Sequence, residues 1–222
     1  MTPRYVFVAD PTGRRWLAYE RELRDYWRIQ GTEPEVHLLD WHGVIEAGGR
    51  VRDEDLPSAP AVLRIETPGA NFDLTRKLIA TGCQVRGVTD VWSSLRYKEG
   101  RLLRPGLAYA GLRQTLQGLR TSFDRNNRIQ LLSCPSAIAE MFDKNRVIER
   151  FTKHGIPCPP TWAVPETANE VLGQLRERSC RTAYLKLNSG SSATGIAVIH
   201  ALDEPPWALT TVTETDGDFF NT

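Results

Sequence analysis

Short apolar runs alternate with amphipathic stretches through the first ninety residues of the chain. Residues 14–29 place aromatic and leucine side chains three and four positions apart, which predicts a helix ending at Gly31. A second helix is predicted over 73–80, with Gly82 as its C-terminal stop. Strands are predicted at 4–9, 35–41, 61–65 and 85–88, and an exposed connection at 47–60. Strands that alternate with helices favour an α/β fold with an open, mostly parallel sheet.

The remainder of the chain completes this first domain and predicts a smaller α+β region after about residue 140. Ser136 is expected to cap a helix through residue 141, and Gly155 to end a helix over 144–154. Further helices are predicted at 106–123 and 167–178, and further strands at 129–132, 161–164, 183–187 and 196–199. The last two strands predict a hairpin with a long loop, residues 188–195. We place a domain boundary near residue 140, which gives domains at 1–140 and 141–222.

Composition places the chain among ordinary globular proteins. Of its 222 residues 25% are charged and 41% hydrophobic, and the formal net charge is +1, which argues against a strongly basic nucleic-acid binder. No apolar run approaches the roughly 18 residues of a membrane span, and the amino terminus lacks a secretory pattern. The four cysteines are widely spaced, which favours reduced thiols in a cytoplasmic protein over disulfides or a zinc site.

The loop 188–195 is the most informative chemical feature. Small residues let successive backbone N–H groups approach an anion, and Lys186, on the strand before the loop, can supply a positive charge. Gly190 and Gly195 have Walker-loop spacing, but Ile196 and Ala197 stand where lysine and serine or threonine are needed. The pattern suits a polyphosphate, and a flexible hairpin tip is the alternative.

Five motifs occur in one order along the second half of the chain. They are 134–138 (CPSAI), 142–144 (FDK), 155–161 (GIPCPPT), 184–187 (YLKL) and 190–196 (GSSATGI). This series resembles the ATP-grasp superfamily of carboxylate–amine or carboxylate–thiol ligases, over about residues 133–200. The preceding region is similar to the open α/β domain that usually comes first in that family. The resemblance implies a Rossmann-like pre-ATP-grasp domain followed by the N-terminal subdomain of an ATP-grasp domain.

The resemblance also implies roles for individual residues. Lys144 and Lys186 would contact nucleotide phosphates, and the ATP-binding flap would comprise Gly190, Ser191, Ser192, Thr194 and Gly195. A solvated helix residue is the alternative for Lys144. For Lys186 a partner is expected, because a charge inside an apolar strand costs free energy unless it is paired.

In this family ATP phosphorylates a carboxylate and an amine attacks the acyl phosphate, with magnesium bridging the phosphates. The family pattern continues past the flap to a hinge strand and a late acidic pair with an asparagine, whereas this chain ends at Thr222. We therefore expect an incomplete ATP-grasp domain that lacks the magnesium ligands and is inactive alone; a fragment, a truncated gene product and one half of a split protein are the alternatives. The resemblance implies a small carboxylate or peptide as substrate, and a split protein would have the missing C-terminal half as a further partner. The acidic tail at Glu214, Asp216, Asp218 and Asn221 has the wrong spacing for those ligands and is expected to be solvated.

Two other groups of residues are candidate sites. Arg64 and Glu66, at a strand end, are expected to bind a substrate carboxylate or amine, and a structural salt bridge is the equal alternative. His37 and His42 point to opposite faces of a strand, which argues against a shared metal. No catalytic residue is assigned. The alternative functions are a non-catalytic nucleotide- or protein-binding α/β module and an unrelated two-domain α/β protein.

Overall fold

A computed structural model describes residues 2–69, 71–92, 94, 96–190, 194–201 and 205–221. The chain forms two compact units. The first comprises residues 1–95 and 106–140, and the second comprises 96–105 and 141–222. The segment 96–105 therefore belongs with the second unit, which no sequence pattern indicated.

The first unit is built on a parallel sheet of four strands. Its strands are β1 (Arg4–Ala9), β2 (Glu35–Asp40), β3 (Ala61–Ile65) and β4 (Ile129–Leu131), in the order β2-β1-β3-β4. Its helices are α1 (Arg14–Ile29), α2 (Trp41–Glu46), α3 (Phe72–Arg86), α4 (Pro105–Phe123) and α5 (Pro135–Met141), with a 3-10 turn at Asp53–Asp55. The predicted α/β class with a parallel sheet is confirmed.

Strand β1 lies inside this sheet and is buried on both faces. Val6 and Val8 are fully buried, and on the other face Phe7 packs against Trp16 of α1 with ring centroids 4.7 Å apart. Burial on both faces is typical of a central parallel strand covered by helices. Fully burying a side chain such as Phe7 contributes about 1.5–3 kcal/mol, so the aromatic face of α1 anchors that helix to the sheet.

Helices α3 and α4 cross at two glycines. A Cβ atom at Gly82 would lie 2.0 Å from the carbonyl oxygen of Leu107, and one at Gly111 would lie 1.9 Å from that of Leu78. Gly82 therefore permits a close contact inside α3, and the prediction that it ends this helix is wrong.

The true end of α3 is Gly87, which adopts a left-handed φ of 64°. The N–H groups of Gly87 and Val88 donate to the carbonyl oxygens of Gln84 and Cys83, which is the Schellman pattern of a helix end. The predicted strand at 85–88 is thus wrong, because these residues complete α3 and its cap.

The second unit contains two helices and two antiparallel sheets. They are α6 (Lys144–Lys153), α7 (Ala168–Glu177), a sheet of β5 (Thr182–Lys186), β6 (Ile196–His200) and β7 (Trp207–Thr210), and a hairpin of β8 (Val212–Thr215) and β9 (Asp218–Asn221). The predicted hairpin is confirmed, since β5 and β6 pair antiparallel with Lys186 opposite Ile196. Strands β7, β8 and β9 were not predicted.

Helix α7 covers one face of the three-stranded sheet. Thr167 caps its first turn, because Thr167 Oγ1 accepts from the Glu170 N–H, and Glu170 Oε2 accepts in turn from the Glu166 N–H just before the helix. Val171 and Leu175 are buried. Around their cluster pack Trp162, Leu172, Cys180, Ala183, Leu185 and Ile199. The predicted helix is confirmed, and Val171, Leu172 and Leu175 lie on the face that packs against the sheet.

The end of the chain is an ordered hairpin, not the solvated tail that was expected. Asp218 forms ion pairs with Lys98 and Arg101. The Leu102 N–H donates to the Phe219 carbonyl and the Asn221 N–H to the Gly100 carbonyl, both at 2.7 Å. The segment 96–105 therefore holds β9 by charge and by backbone hydrogen bonds.

Three further local predictions are corrected. Residues 161–164 form no strand, and Val164 is 76% exposed. Trp41 begins α2, because Asp40 turns the chain and accepts from the His42 N–H at 3.0 Å. Ser136 lies inside α5, where its hydroxyl accepts from Arg120 instead of capping the helix.

Among the helices of the described residues, none combines the length and apolar character needed to cross a lipid bilayer.

Candidate functional site

Two lysine ammonium groups lie at the start of the loop between β5 and β6 in the second unit. Lys144, the first residue of α6, directs Nζ at the carbonyl oxygens of Leu187 (2.9 Å), Asn188 (3.3 Å) and Gly190 (2.7 Å). Burial of this ammonium group, together with the nearby charge of Lys186, lowers the pKa of Lys144. The two positive charges are thus close enough to repel each other.

No carboxylate of the described residues forms an ion pair with either lysine. Asp143 is adjacent to Lys144 in sequence, but its carboxylate accepts from the Arg146 N–H and from Asn188 Nδ2, and it forms an ion pair with the Arg146 guanidinium. The lysine pair is therefore a concentration of positive charge that the described part of the chain does not neutralise.

The first turn of α6 is joined to the loop by Asn188. The Lys144 N–H donates to the Asn188 carbonyl at 3.2 Å, and the Asn145 N–H donates to Asn188 Oδ1 at 2.9 Å. Asn188 Nδ2 donates to Asp143 Oδ1 at 3.0 Å. Sequence reasoning missed Asn188, because its partners at the start of α6 lie more than forty positions away in the chain.

Backbone geometry distinguishes the two glycines of the loop. Gly195 has a φ of 67°, and a Cβ atom there would lie 2.6 Å from Leu187 Cδ1, so both conformation and space require glycine. A Cβ atom at Gly190 would lie at an ordinary 3.5 Å from Leu187 and 3.9 Å from the Thr194 carbonyl oxygen. The two ends of the loop therefore approach each other beside Leu187.

The structure brings five of the predicted ATP-binding residues to one loop and its base: Lys144, Lys186, Gly190, Thr194 and Gly195. Ser191 and Ser192, predicted as hydroxyl donors, lie outside the described residues.

Lys186 is exposed, which corrects one step of the sequence argument. Its side chain shares a face of β5 with Tyr184, and Nζ lies 5.9 Å from the centroid of that ring. Because the ammonium group meets solvent, the cost of burying an unpaired charge does not arise here.

The face of the sheet that presents Lys186 is not packed on α7. Tyr184, Val198 and Leu209 are cross-strand neighbours on this face, and Tyr184 and Leu209 are 67% and 68% exposed. His200 and Trp207 stack on the same face with ring centroids 3.9 Å apart. An apolar, aromatic surface thus adjoins the lysine pair.

A second polar cluster lies in the first unit, where parallel strands end. Asp10 follows β1 and is 8% exposed; its carboxylate accepts from the Thr12 N–H (2.9 Å), the Thr12 hydroxyl (2.8 Å) and Asn71 Nδ2 (2.8 Å). Burial by itself would raise the pKa of Asp10, but these hydrogen bonds outweigh it and hold the pKa below its ordinary value.

The predicted substrate residues Arg64 and Glu66 pair with each other at this edge. Glu66 is 5% exposed and accepts from Arg64 Nε, while the Arg64 guanidinium lies 4.3 Å from the centroid of the Tyr19 ring. Trp41 Nε1 donates to the Glu66 carbonyl at 3.0 Å. The pair is the salt bridge that the sequence allowed as the alternative to a substrate site.

No group of three or more histidine, cysteine, aspartate or glutamate side chains in the described ranges is arranged to hold a metal ion. Asp218 is engaged by Lys98 and Arg101, and Glu214 accepts from the Gly217 N–H at 2.8 Å. These contacts do not fit a magnesium site at the end of the chain.

No model of a known protein family matches the chain, and no curated protein matches it. The geometry of the two clusters is therefore the basis for arguing a function.

Proposed function

We propose that the second unit binds the polyphosphate of a nucleoside triphosphate as the N-terminal part of an ATP-grasp domain, following a pre-ATP-grasp domain formed by the first unit. The observation behind the proposal is the pair of ammonium groups, Lys144 and Lys186, at the start of the β5–β6 loop. A bound polyanion would offset their mutual repulsion.

The neighbouring surface supports a nucleotide over a simple anion. Lys186 and Tyr184 share the uncovered face of β5, so one ligand can place an aromatic ring on the apolar surface and an anionic tail against the lysines. Lysine suits phosphate as a point charge that needs no fixed fork geometry.

ATP-dependent activation of a carboxylate for attack by an amine is the chemistry that the family resemblance adds to this proposal. The described residues offer no magnesium site, so we assign nucleotide binding to this chain and derive no chemical step from it. A small carboxylate or peptide is the proposed substrate class. The Arg64–Glu66 pair is the proposed contact for it, and would have to open to receive one.

A non-catalytic protein-binding module is the second candidate. The uncovered face of Tyr184, Val198 and Leu209 favours it, because exposed contiguous apolar surface is typical of interaction sites. On this alternative the lysines border a protein interface and phosphate is not required.

Titration calorimetry of the whole chain with ATP tests the proposal. We expect Lys186→Ala to weaken ATP binding about tenfold or more, since a hydrogen bond to a charged group contributes about 1.5–3 kcal/mol. Lys153→Ala is the matched control, because it removes the same charge from the exposed end of α6.

Comparison of ligands separates the two candidates. ATP and inorganic tripolyphosphate should bind more tightly than AMP, and raised salt should weaken the first two most. Equal affinities of the wild type and Lys186→Ala for ATP, with no preference for ATP over AMP, would refute phosphate binding and favour the protein-binding module.

A further inference from the structure

We propose that Asn188 is the positioning residue of the lysine site: it ties the β5–β6 loop to the first turn of α6 and so holds the Lys144 ammonium group beside Lys186. The site itself rests on the proposed function, whereas the positioning is visible in the hydrogen bonds between Asn188 and the start of α6.

The first turn of a helix has N–H groups that lack partners within the helix. In α6, Asp143 Oδ1 accepts from the Arg146 N–H, while Asn188 accepts from Lys144 N–H through its backbone and from Asn145 N–H through its side chain. The cap of α6 is therefore shared between its own N-cap residue and a loop residue 45 positions further along the chain.

The Asn188 amide acts as donor and acceptor at once. Oδ1 faces the Asn145 N–H, and Nδ2 faces the Asp143 carboxylate. These two partners fix which end of the amide points each way, because an N–H needs an acceptor and a carboxylate needs a donor. Aspartate at 188 would keep the acceptor but would oppose the carboxylate of Asp143.

This arrangement determines which groups remain available to bind an anion. The N–H groups of Lys144, Asn145 and Arg146 are already bonded to Asn188 and Asp143, so the anion is left to the ammonium groups. The Lys144 ammonium group is itself held by the carbonyl oxygens of Leu187, Asn188 and Gly190. Loss of the Asn188 side chain would remove its bonds to the Asn145 N–H and to Asp143 and leave only the loop carbonyl oxygens as contacts, so the start of α6 and the Lys144 ammonium group would be held less firmly.

The test uses the full, ligand-free chain with Asn188→Ala and the matched control Asn145→Ala. Asn145 contacts Asn188 through its backbone N–H, which alanine retains. We expect Asn188→Ala to speed hydrogen exchange at the Asn145 amide about tenfold and to raise the pKa of Lys144, measured by NMR titration, toward its ordinary value. Asn145→Ala should change neither.

A double variant that exchanges the amide and the carboxylate keeps the test decisive if Asn188→Ala folds poorly. Asn188→Asp alone should weaken the α6–loop connection, and Asp143→Asn combined with Asn188→Asp should restore it, because a donor again faces a carboxylate. Unchanged amide exchange and Lys144 pKa in the single variants, or an equal effect of Asn145→Ala, would overturn the positioning role.

Binding of inorganic tripolyphosphate to the same variants links positioning to function. The affinity for tripolyphosphate should fall in Asn188→Ala, because the Lys144 ammonium group is no longer held beside Lys186. It should return in the double variant Asp143→Asn with Asn188→Asp. A wild type that binds no tripolyphosphate would refute the proposed anion site, while the ligand-free exchange and pKa measurements would still decide the role of Asn188.

Discussion

The two lysines of the candidate site show how contacts give one residue type two behaviours. Lys144 is partly buried and hydrogen-bonded to three carbonyl oxygens, and its pKa is lowered by burial and by the charge of Lys186. Lys186, in contrast, is exposed beside Tyr184. Under the proposed function, Lys144 would have to exchange carbonyl partners for the anion, whereas Lys186 would need no such exchange. Lys186 is therefore the cleaner probe of anion binding, and Lys144 reports on the state of the loop.

Asp10 in the first unit gives a pH-dependent prediction. Its pKa lies below the ordinary value of 3.8, so the folded state binds the proton more weakly than the unfolded state does. The stabilisation is thus complete well above pH 3.8 and is lost as the pH falls through the folded-state pKa.

Asp10→Ala should lower the free energy of unfolding at neutral pH by about 1–3 kcal/mol, since Thr12 and Asn71 lose their acceptor. Urea unfolding at several pH values measures this difference in free energy, which should shrink as the pH falls through the folded-state pKa of Asp10. Asp25→Ala in α1 is the control, because it removes a partly exposed carboxylate whose ion pair with Arg28 lies at the surface. A constant difference at all pH values would contradict the assigned role of the carboxylate.

At the level of elements, the crossing of α3 and α4 depends on the absence of side chains. Gly111→Ala would drive a Cβ atom into the Leu78 carbonyl, so we expect a loss of about 3 kcal/mol or more in unfolding free energy. Gly106→Ala in the same helix meets nothing within 4 Å and should be neutral or stabilising by about 0.5–1 kcal/mol. Equal effects of the two substitutions in chemical denaturation would contradict the close crossing.

The same crossing explains where sequence reasoning succeeds and fails. Helix α1 and strands β1 and β3 match their predicted bounds, because periodicity and flanking turn residues are local signals. Gly82 looked like a helix stop because its partner, Leu107, is distant in sequence. Apolar residues at 161–164 looked like a strand, yet whether such a run pairs depends on neighbours that a local pattern does not specify.

In the candidate site, too, local sequence predicted some residues, and contacts between distant residues determined the role of others. Residue types and order predicted Lys144 and Lys186, and the structure brings them together at one loop. The contribution of Asn188 was not predictable, since its amide acts through residues 43 to 45 positions away. The pairing of Arg64 with Glu66 was foreseen as an alternative, because side chains two apart on a strand share a face.

For the whole molecule, the two units have separate apolar clusters. Phe7, Ala9 and Trp16 form one in the first unit, and Val171, Leu175 and Ala201 form another in the second. A substitution in one cluster therefore removes no contact from the other, and the effects of two such substitutions should add.

Calorimetry of unfolding tests this division. Leu175 is fully buried, so Leu175→Ala should destabilise the second unit by about 2–5 kcal/mol, while Gly111→Ala should act on the first. ATP should raise the melting temperature of the transition that Leu175→Ala lowers, because a ligand stabilises the state that binds it. If both substitutions lower one shared transition alike, the two units do not unfold separately. If ATP protects a separate transition that is sensitive to Gly111→Ala, nucleotide binding does not belong to the second unit alone.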